Sequence, residues 1–173
     1  AGVAATAIFA AITGSSAATT MAMGTLLVPL MEEKGYQRSF AMGLTAAAGT
    51  LGILIPPSLP MILFGLIAEE SIPRLFLGGV IPGLLQATLF GLYIFFLANR
   101  VGGKAESRVS ARVFVDANVY ALPAYLIPIV VLGGIYGGFV TLTEAAVSGV
   151  LCALIAVLLV YRSAKLSDIP GML

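Results

Sequence analysis

The chain is 173 residues long, 60% apolar and only 10% charged, with a mean hydropathy of +1.07. Soluble domains run near a quarter charged, so the composition excludes a water-soluble fold. A net charge of +1 with interspersed signs supplies no basic field for nucleic acid.

The charged residues gather in short stretches and leave uncharged runs at 1–31, 39–68, 75–99 and 117–143. Each is longer than the ~20 residues that cross a ~30 Å hydrocarbon core. The pattern is that of an all-α, multi-pass integral membrane protein.

The first run carries Thr13-Gly14-Ser15-Ser16 near its middle, a cluster of helix-breaking and helix-capping residues. The halves on either side, about 1–12 and 17–31, are each expected to reach only the midplane. A re-entrant helical hairpin over 1–31 with its turn at Thr13–Ser16 fits that pattern. The competing reading is one long tilted helix.

The second run, 39–68, opens with an alanine-rich helix over 39–48. Gly49, Thr50, Gly52, Pro56, Pro57 and Ser58 follow, and then an apolar segment over 59–68. Pro56 disfavours helix at Ile55, Pro57 does the same to Pro56, and neither donates a backbone hydrogen bond. About eight residues are therefore expected to be unwound within a discontinuous transmembrane helix. Such backbone survives in a bilayer only against protein or a wet cavity. A plain proline kink is the alternative.

Residues 69–99 read as a further span. The stretch 100–118 holds Arg100, Lys104, Arg108 and Arg112, the densest basic group, which places it in the cytoplasm by the positive-inside rule. The four-residue spacing of Lys104, Arg108 and Arg112, with Val109 and Val113 on a neighbouring face, suggests an interfacial helix. A solvated loop is the other possibility. Residues 119–138 then run outward and 143–161 return, with Gly133–Gly138 as an outer turn and Thr143 as a candidate cap beside Glu144. Tyr36, Tyr120 and Tyr161 fall near the inner boundaries, and 162–173 read as the start of a further segment, so the chain is expected to be an internal piece of a longer one.

Catalytic chemistry finds little here. The chain has no histidine, its acids lie in polar connectors except Glu144, and the lone Cys152 sits in an apolar helix. Intramembrane hydrolysis needs a Ser/His pair, paired aspartates or a metal cluster, so an enzyme is not expected.

Two interrupted segments adjacent in sequence point instead to a transporter site at the bilayer midplane. Half-helices beginning near Ala17 and Ser58 present N–H groups and positive dipole ends suited to a carboxylate. Half-helices ending near Ile12 and Ala48 present carbonyls. Thr13, Ser15, Ser16, Thr45, Thr50 and Ser58 add neutral hydroxyl oxygens that suit a small hard cation. Proton coupling would want a titratable group in the membrane, and this region has none, which favours sodium. An anion channel using the same helix ends and a non-transporting structural subunit are the rivals.

Four motifs occur in order: ITGSSAATTMAMGTLLVPLMEEKGY (12–36), LTAAAGTLGILIPPSLPMILFG (44–65), LFLGGVIPG (75–83) and GGIYGGFVTLTEAA (133–146). Together they resemble the large membrane subunit of tripartite ATP-independent periplasmic (TRAP) transporters. The resemblance implies a multi-pass protein of the bacterial inner membrane that imports organic acids, such as C4-dicarboxylates or sialic acid, by sodium symport. It also implies a periplasmic substrate-binding protein and a small four-helix membrane subunit as partners. The implied fold is an inverted-repeat, elevator-type one like that of divalent-anion/sodium symporters, so such a symporter working without a binding protein is the alternative. Residues 1–68 would then belong to the transport domain and 119–161 would start the second half.

Carried over to this sequence, substrate is expected at Ser15, Ser16, Thr19, Pro57 and Ser58. Sodium is expected at Thr13, Gly14, Ser15, Gly49, Thr50 and Gly52. Two positions depart from the family pattern: many members have Asp where Thr19 stands and Pro where Leu142 stands.

Overall fold

A computed structural model describes residues 2–97 and 110–162, and these are helical with no strand among them. The chain divides into two compact units, Ala1–Ser107 and Arg108–Leu173.

In the first unit, α1 (Gly2–Thr13) and α2 (Ser16–Glu33) are joined by two residues, Gly14 and Ser15. Gly14 turns the chain at φ +60°, a left-handed conformation that glycine adopts without a Cβ penalty. The two helices double back on each other, because Leu27 of α2 lies beside Gly2 at the far end of α1. At 18 residues α2 is about 27 Å long, more than the half-span expected of it. It carries on through Pro29 to Glu32 and Glu33, and the chain turns beyond it at Gly35, where φ is +85°. An ion pair at 3.7 Å joins Glu32 to Arg38 across the turn, and Tyr36 stacks on Phe40.

The chain then returns along α2 as α3 (Arg38–Gly49), and a single helical turn, α4 (Leu51–Leu54), follows it. The interruption is thus shorter than the eight residues expected: Gly49 and Gly52 are helical, and the backbone departs from helix at 55–58, where Pro56 and Pro57 are joined by a cis peptide. The cause is local. The prolines forbid the helical hydrogen bonds, whereas the glycines stay in helix and serve close packing against α2. Beyond the break, α5 (Leu59–Ile67) continues at a 40° bend, and α6 (Ile72–Leu97) runs back along α4 and α5.

A small apolar core of Val3, Ala10 and Leu51 fixes α1 against α4, with Leu44, Ile55, Ala87, Phe90 and Ile94 packed around it. Gly79 and Gly83 let α6 approach the backbone of Leu54.

In the second unit, α7 (Ala111–Tyr136) starts eight residues before the span expected at 119. Arg112 and Val113 therefore belong to this long helix, while Lys104, Arg108 and Val109 of the expected interfacial helix lie outside the described residues. After a glycine turn with Gly138 at φ +68°, α8 (Leu142–Ile155) begins, and a π-helical turn, Ala156–Val160, extends it. The cap of α8 is Thr141, not Thr143. Thr141 and Glu144 have the three-residue spacing that lets each side chain reach the other's backbone amide, at 3.4 and 2.7 Å. Tyr161 donates to the carbonyl of Tyr120 at 2.9 Å, bringing two of the three boundary tyrosines together.

Among the described residues three helices are long and apolar enough to cross a membrane: Ile72–Leu97, Ala111–Tyr136 and Leu142–Val160. Arg38–Leu54 with Leu59–Ile67 make a fourth when the bent pair is taken as one span. Of the expected terminal segment 162–173, all but Arg162 lies outside the described residues.

Candidate functional site

The two chain breaks meet. The amide of Leu59, the first residue after the second break, donates to the carbonyl of Gly14 at the hairpin tip at 3.0 Å. Gly14 is buried there, and a Cβ on it would collide with the carbonyl oxygen of Pro57 and lie 3.4 Å from the Cα of Ser58. Four helix ends consequently converge on one locus: the C-termini of α1 and α4 and the N-termini of α2 and α5.

The anion-seeking groups at this locus can be counted from the caps. At α2, Ser15 caps the helix by accepting from Ala18 at 3.4 Å, and its carbonyl accepts from Thr19. The amides of Ser16 and Ala17 remain for a ligand. At α5 the sequence expectation of several free amides is cut down: Leu59 is spent on Gly14, Pro60 has no N–H, and Met61 is left. Ser58 occupies the capping position of α5 without capping it. Its hydroxyl is fully buried and has no hydrogen-bond partner. Buried polar atoms are paired in the great majority of cases, and this oxygen is an exception.

Neutral oxygens lie alongside. Thr13 and Thr19 share a hydrogen bond of 2.6 Å between hydroxyls, and Thr19 is completely buried. Gly52 lies under the carbonyl of Ser15 and the hydroxyl of Thr19, where an added Cβ would come within 2.8 and 2.9 Å. Among the described residues no three His, Cys, Asp or Glu side chains gather, so a cation at this locus would be held by hydroxyl and carbonyl oxygens.

The predicted site residues are thereby sorted. Thr13, Gly14, Ser15, Ser16, Thr19, Gly52, Pro57 and Ser58 come together around the tip and the break. Gly49 does not, for it faces the side chain of Thr20 on α2. Thr50 turns towards α6, where its hydroxyl donates to the carbonyl of Ala47 at 2.6 Å and accepts from the amide nitrogen of Gln86 at 2.8 Å. Thr45 is buried and its hydroxyl is spent on the carbonyl of Ala41 at 2.8 Å.

Two residues were missed. Met61 contributes only a backbone amide, which no side-chain pattern reveals. Gln86 had a signal, as the one carboxamide in the apolar run 75–97.

Across residues 1–173 the chain matches the family model described as "Tripartite ATP-independent periplasmic transporter, DctM component". It is 43% identical over 155 residues to the isethionate TRAP transporter permease protein DctMQ of Oleidesulfovibrio alaskensis, covering 89% of this chain and 24% of that protein. It is 40% identical over 166 residues to the C4-dicarboxylate TRAP transporter large permease protein DctM of Pseudomonas aeruginosa, covering 96% and 39%. It is also 40% identical over 162 residues to the ectoine/5-hydroxyectoine large permease protein UehC of Ruegeria pomeroyi, covering 94% and 38%. The chain therefore spans between a quarter and two fifths of the length of these relatives.

Proposed function

The chain belongs to the DctM component family of tripartite ATP-independent periplasmic transporters, membrane permeases rather than enzymes, and on that premise we propose that it forms the solute- and ion-binding heart of a sodium-driven importer of organic acids. The carrying observation is the junction of hairpin tip and helix break, sealed by the Leu59 to Gly14 hydrogen bond and lined by unspent amides and an unpartnered Ser58 hydroxyl. An acid's carboxylate takes the amides of Ser16, Ala17 and Met61 at the positive ends of α2 and α5. Sodium takes the hydroxyl and carbonyl oxygens around Thr13, Ser15, Thr19 and Gly52.

In this reading the hairpin is re-entrant from the cytoplasmic side of the bacterial inner membrane. Tip and break bind both solutes together and move as one body, an elevator step, within an inverted-repeat fold whose second half begins at α7. Each net charge carried inward gains about 2.3 kcal/mol per 100 mV of membrane potential, so moving more sodium charge than substrate charge drives uptake. A periplasmic binding protein delivers the acid and a small four-helix subunit accompanies the permease. One relative is named as a fused DctMQ permease. The reading commits to the class, small organic acids, because the names of relatives of comparable identity carry different solutes: isethionate, C4-dicarboxylate and ectoine.

The test is uptake of a labelled C4-dicarboxylate panel by the complete permease in proteoliposomes, with and without a sodium gradient and with and without its binding protein. Uptake that needs both supports the reading. Uptake undiminished without sodium overturns the coupling, and current or uptake without the binding protein favours a channel or a two-component symporter.

A further inference from the structure

Arg74 is the only basic residue between positions 39 and 99, and it lies in the first turn of α6. Neither the helix nor the membrane asks for a cation there. The positive end of the helix dipole favours acids in a first turn and opposes a guanidinium. With 100–118 in the cytoplasm, α6 starts on the periplasmic side, where the positive-inside rule depletes Lys and Arg. An ion pair would offset both effects, and Glu69 and Glu70 are close by in sequence. Among the described residues Arg74 nonetheless makes no ion pair, and its side chain is exposed.

The guanidinium instead lines a cleft of about 520 Å³ between α5 and α6, a volume typical of small-molecule sites. Arg74 is the one charged residue in the lining, and Leu54, Pro60, Phe64, Gly78 and Pro82 are among the apolar rest. Leu54 and Pro60 flank the break at 55–58, so the cleft runs from the outer end of α6 towards the locus where the hairpin tip docks. On α6 it extends from Arg74 to Pro82, about 12 Å along the axis. Its middle is open, because a Cβ on Gly78 would meet nothing within 4 Å.

A single cation at one end of an apolar cleft complements a small organic acid. The planar fork of arginine takes both oxygens of a carboxylate side by side, while Phe64 and Pro82 offer surface to the carbon skeleton. An acidic protein surface could meet the exposed guanidinium but would leave the depth of the cleft unused. The distance from Arg74 to the break exceeds the length of a C4 acid, so the guanidinium and the amides at the break serve successive stations.

We propose that Arg74 and the cleft between α5 and α6 form an outer staging site for the organic acid, which engages the guanidinium before it moves to the amides at the break. This rests on the importer reading above and adds to it the residue that selects for negative charge at entry.

The test uses the complete permease in proteoliposomes, its loaded binding protein, and the C4-dicarboxylate that the wild type takes up fastest. Docking of the loaded binding protein to immobilised permease is measured in parallel. Arg74→Gln should raise the half-saturating concentration for uptake at least tenfold and leave docking unchanged. Arg74→Lys, which keeps the charge and loses the fork, should fall between. Gly78→Leu fills the cleft without touching the charge, and leucine suits a helix better than glycine does; it should reduce uptake as strongly as Arg74→Gln. Unchanged uptake in Arg74→Gln overturns the proposal. So does docking that weakens in step with uptake, which would assign the guanidinium to a protein surface. Full uptake in Gly78→Leu removes the cleft from the path and overturns it as well. The two readings fail separately: no uptake of any acid by the wild type sinks the importer, while wild-type uptake that the variants leave intact sinks the staging site alone.

Discussion

Gly49 of α3 lies directly against Thr20 of α2, so close that a Cβ at position 49 would overlap the threonine hydroxyl and come within 2.9 Å of its Cβ and 3.1 Å of its Cα. Together with Gly52 on Ser15 and Thr19, it sets how near the broken helix comes to the hairpin. An alanine in a helix ordinarily gains about 1 kcal/mol over glycine. Here the gain is outweighed, because a backbone atom cannot rotate away and overpacking costs about 1–3 kcal/mol. Gly49→Ala is therefore expected to lower the thermal stability of the complete permease. Thr20→Ala in the same molecule should recover part of the loss and not all, since its Cβ and Cα remain. A Gly49→Ala protein as stable as wild type contradicts this packing.

At the hairpin tip the same substitution acts on function. Gly14→Ala meets two obstacles, a left-handed φ that costs an L-residue about 1–2 kcal/mol and a collision with the carbonyl of Pro57. The first weighs on the turn between α1 and α2 and the second on its docking against the break. The sum exceeds the roughly 1.4 kcal/mol that makes a tenfold change in an equilibrium, so substrate uptake should fall more than tenfold while the protein still inserts and purifies. Uptake near wild type would show that the docked tip is not needed.

The breaks were legible in the sequence because the residues that cause them are chemically unambiguous: Gly14 flanked by hydroxyls, and two consecutive prolines. The extent of the second break was not. Glycine permits both unwinding and close approach, and only the position of Thr20 and Ser15 in space decides that Gly49 and Gly52 do the latter. The cap of α8 was misplaced by two residues for a similar reason, since Thr141 and Thr143 both precede Glu144 and the reciprocal bond selects the one three residues away. Gln86 escaped notice because one amide in an apolar run looks like noise until Thr50 is found beside it.

Glu144 offers a check on which acids matter. Its carboxylate accepts from the amide and the hydroxyl of Thr141 at 2.7 and 2.9 Å, which accounts for it as the capping-box partner of Thr141. Glu144→Ala should lower the thermal stability slightly by opening the capping box, and Glu144→Gln, which can still close it, should cost less. Neither should change the sodium concentration that half-saturates uptake. A shift of that concentration in Glu144→Gln would move this residue from a structural role to an ion-binding one.

Ser58 separates a binding role from a structural one more sharply than any other residue, because its hydroxyl is buried without a partner. A hydroxyl that stabilised the fold would be hydrogen-bonded to it, and its removal would cost about 1 kcal/mol. Removing an unpaired one costs nothing and relieves a desolvated dipole. Ser58→Ala is therefore expected to leave the thermal midpoint of the ligand-free permease unchanged or slightly raised. A hydrogen bond donated to a carboxylate contributes about 1.5–3 kcal/mol, so the same variant should bind its acid roughly tenfold to a hundredfold more weakly. Parallel melting curves and uptake titrations give both numbers. Loss of stability with affinities intact would mean that Ser58 serves the break itself, and that the junction between Gly14 and Leu59 is a hinge pin without a ligand.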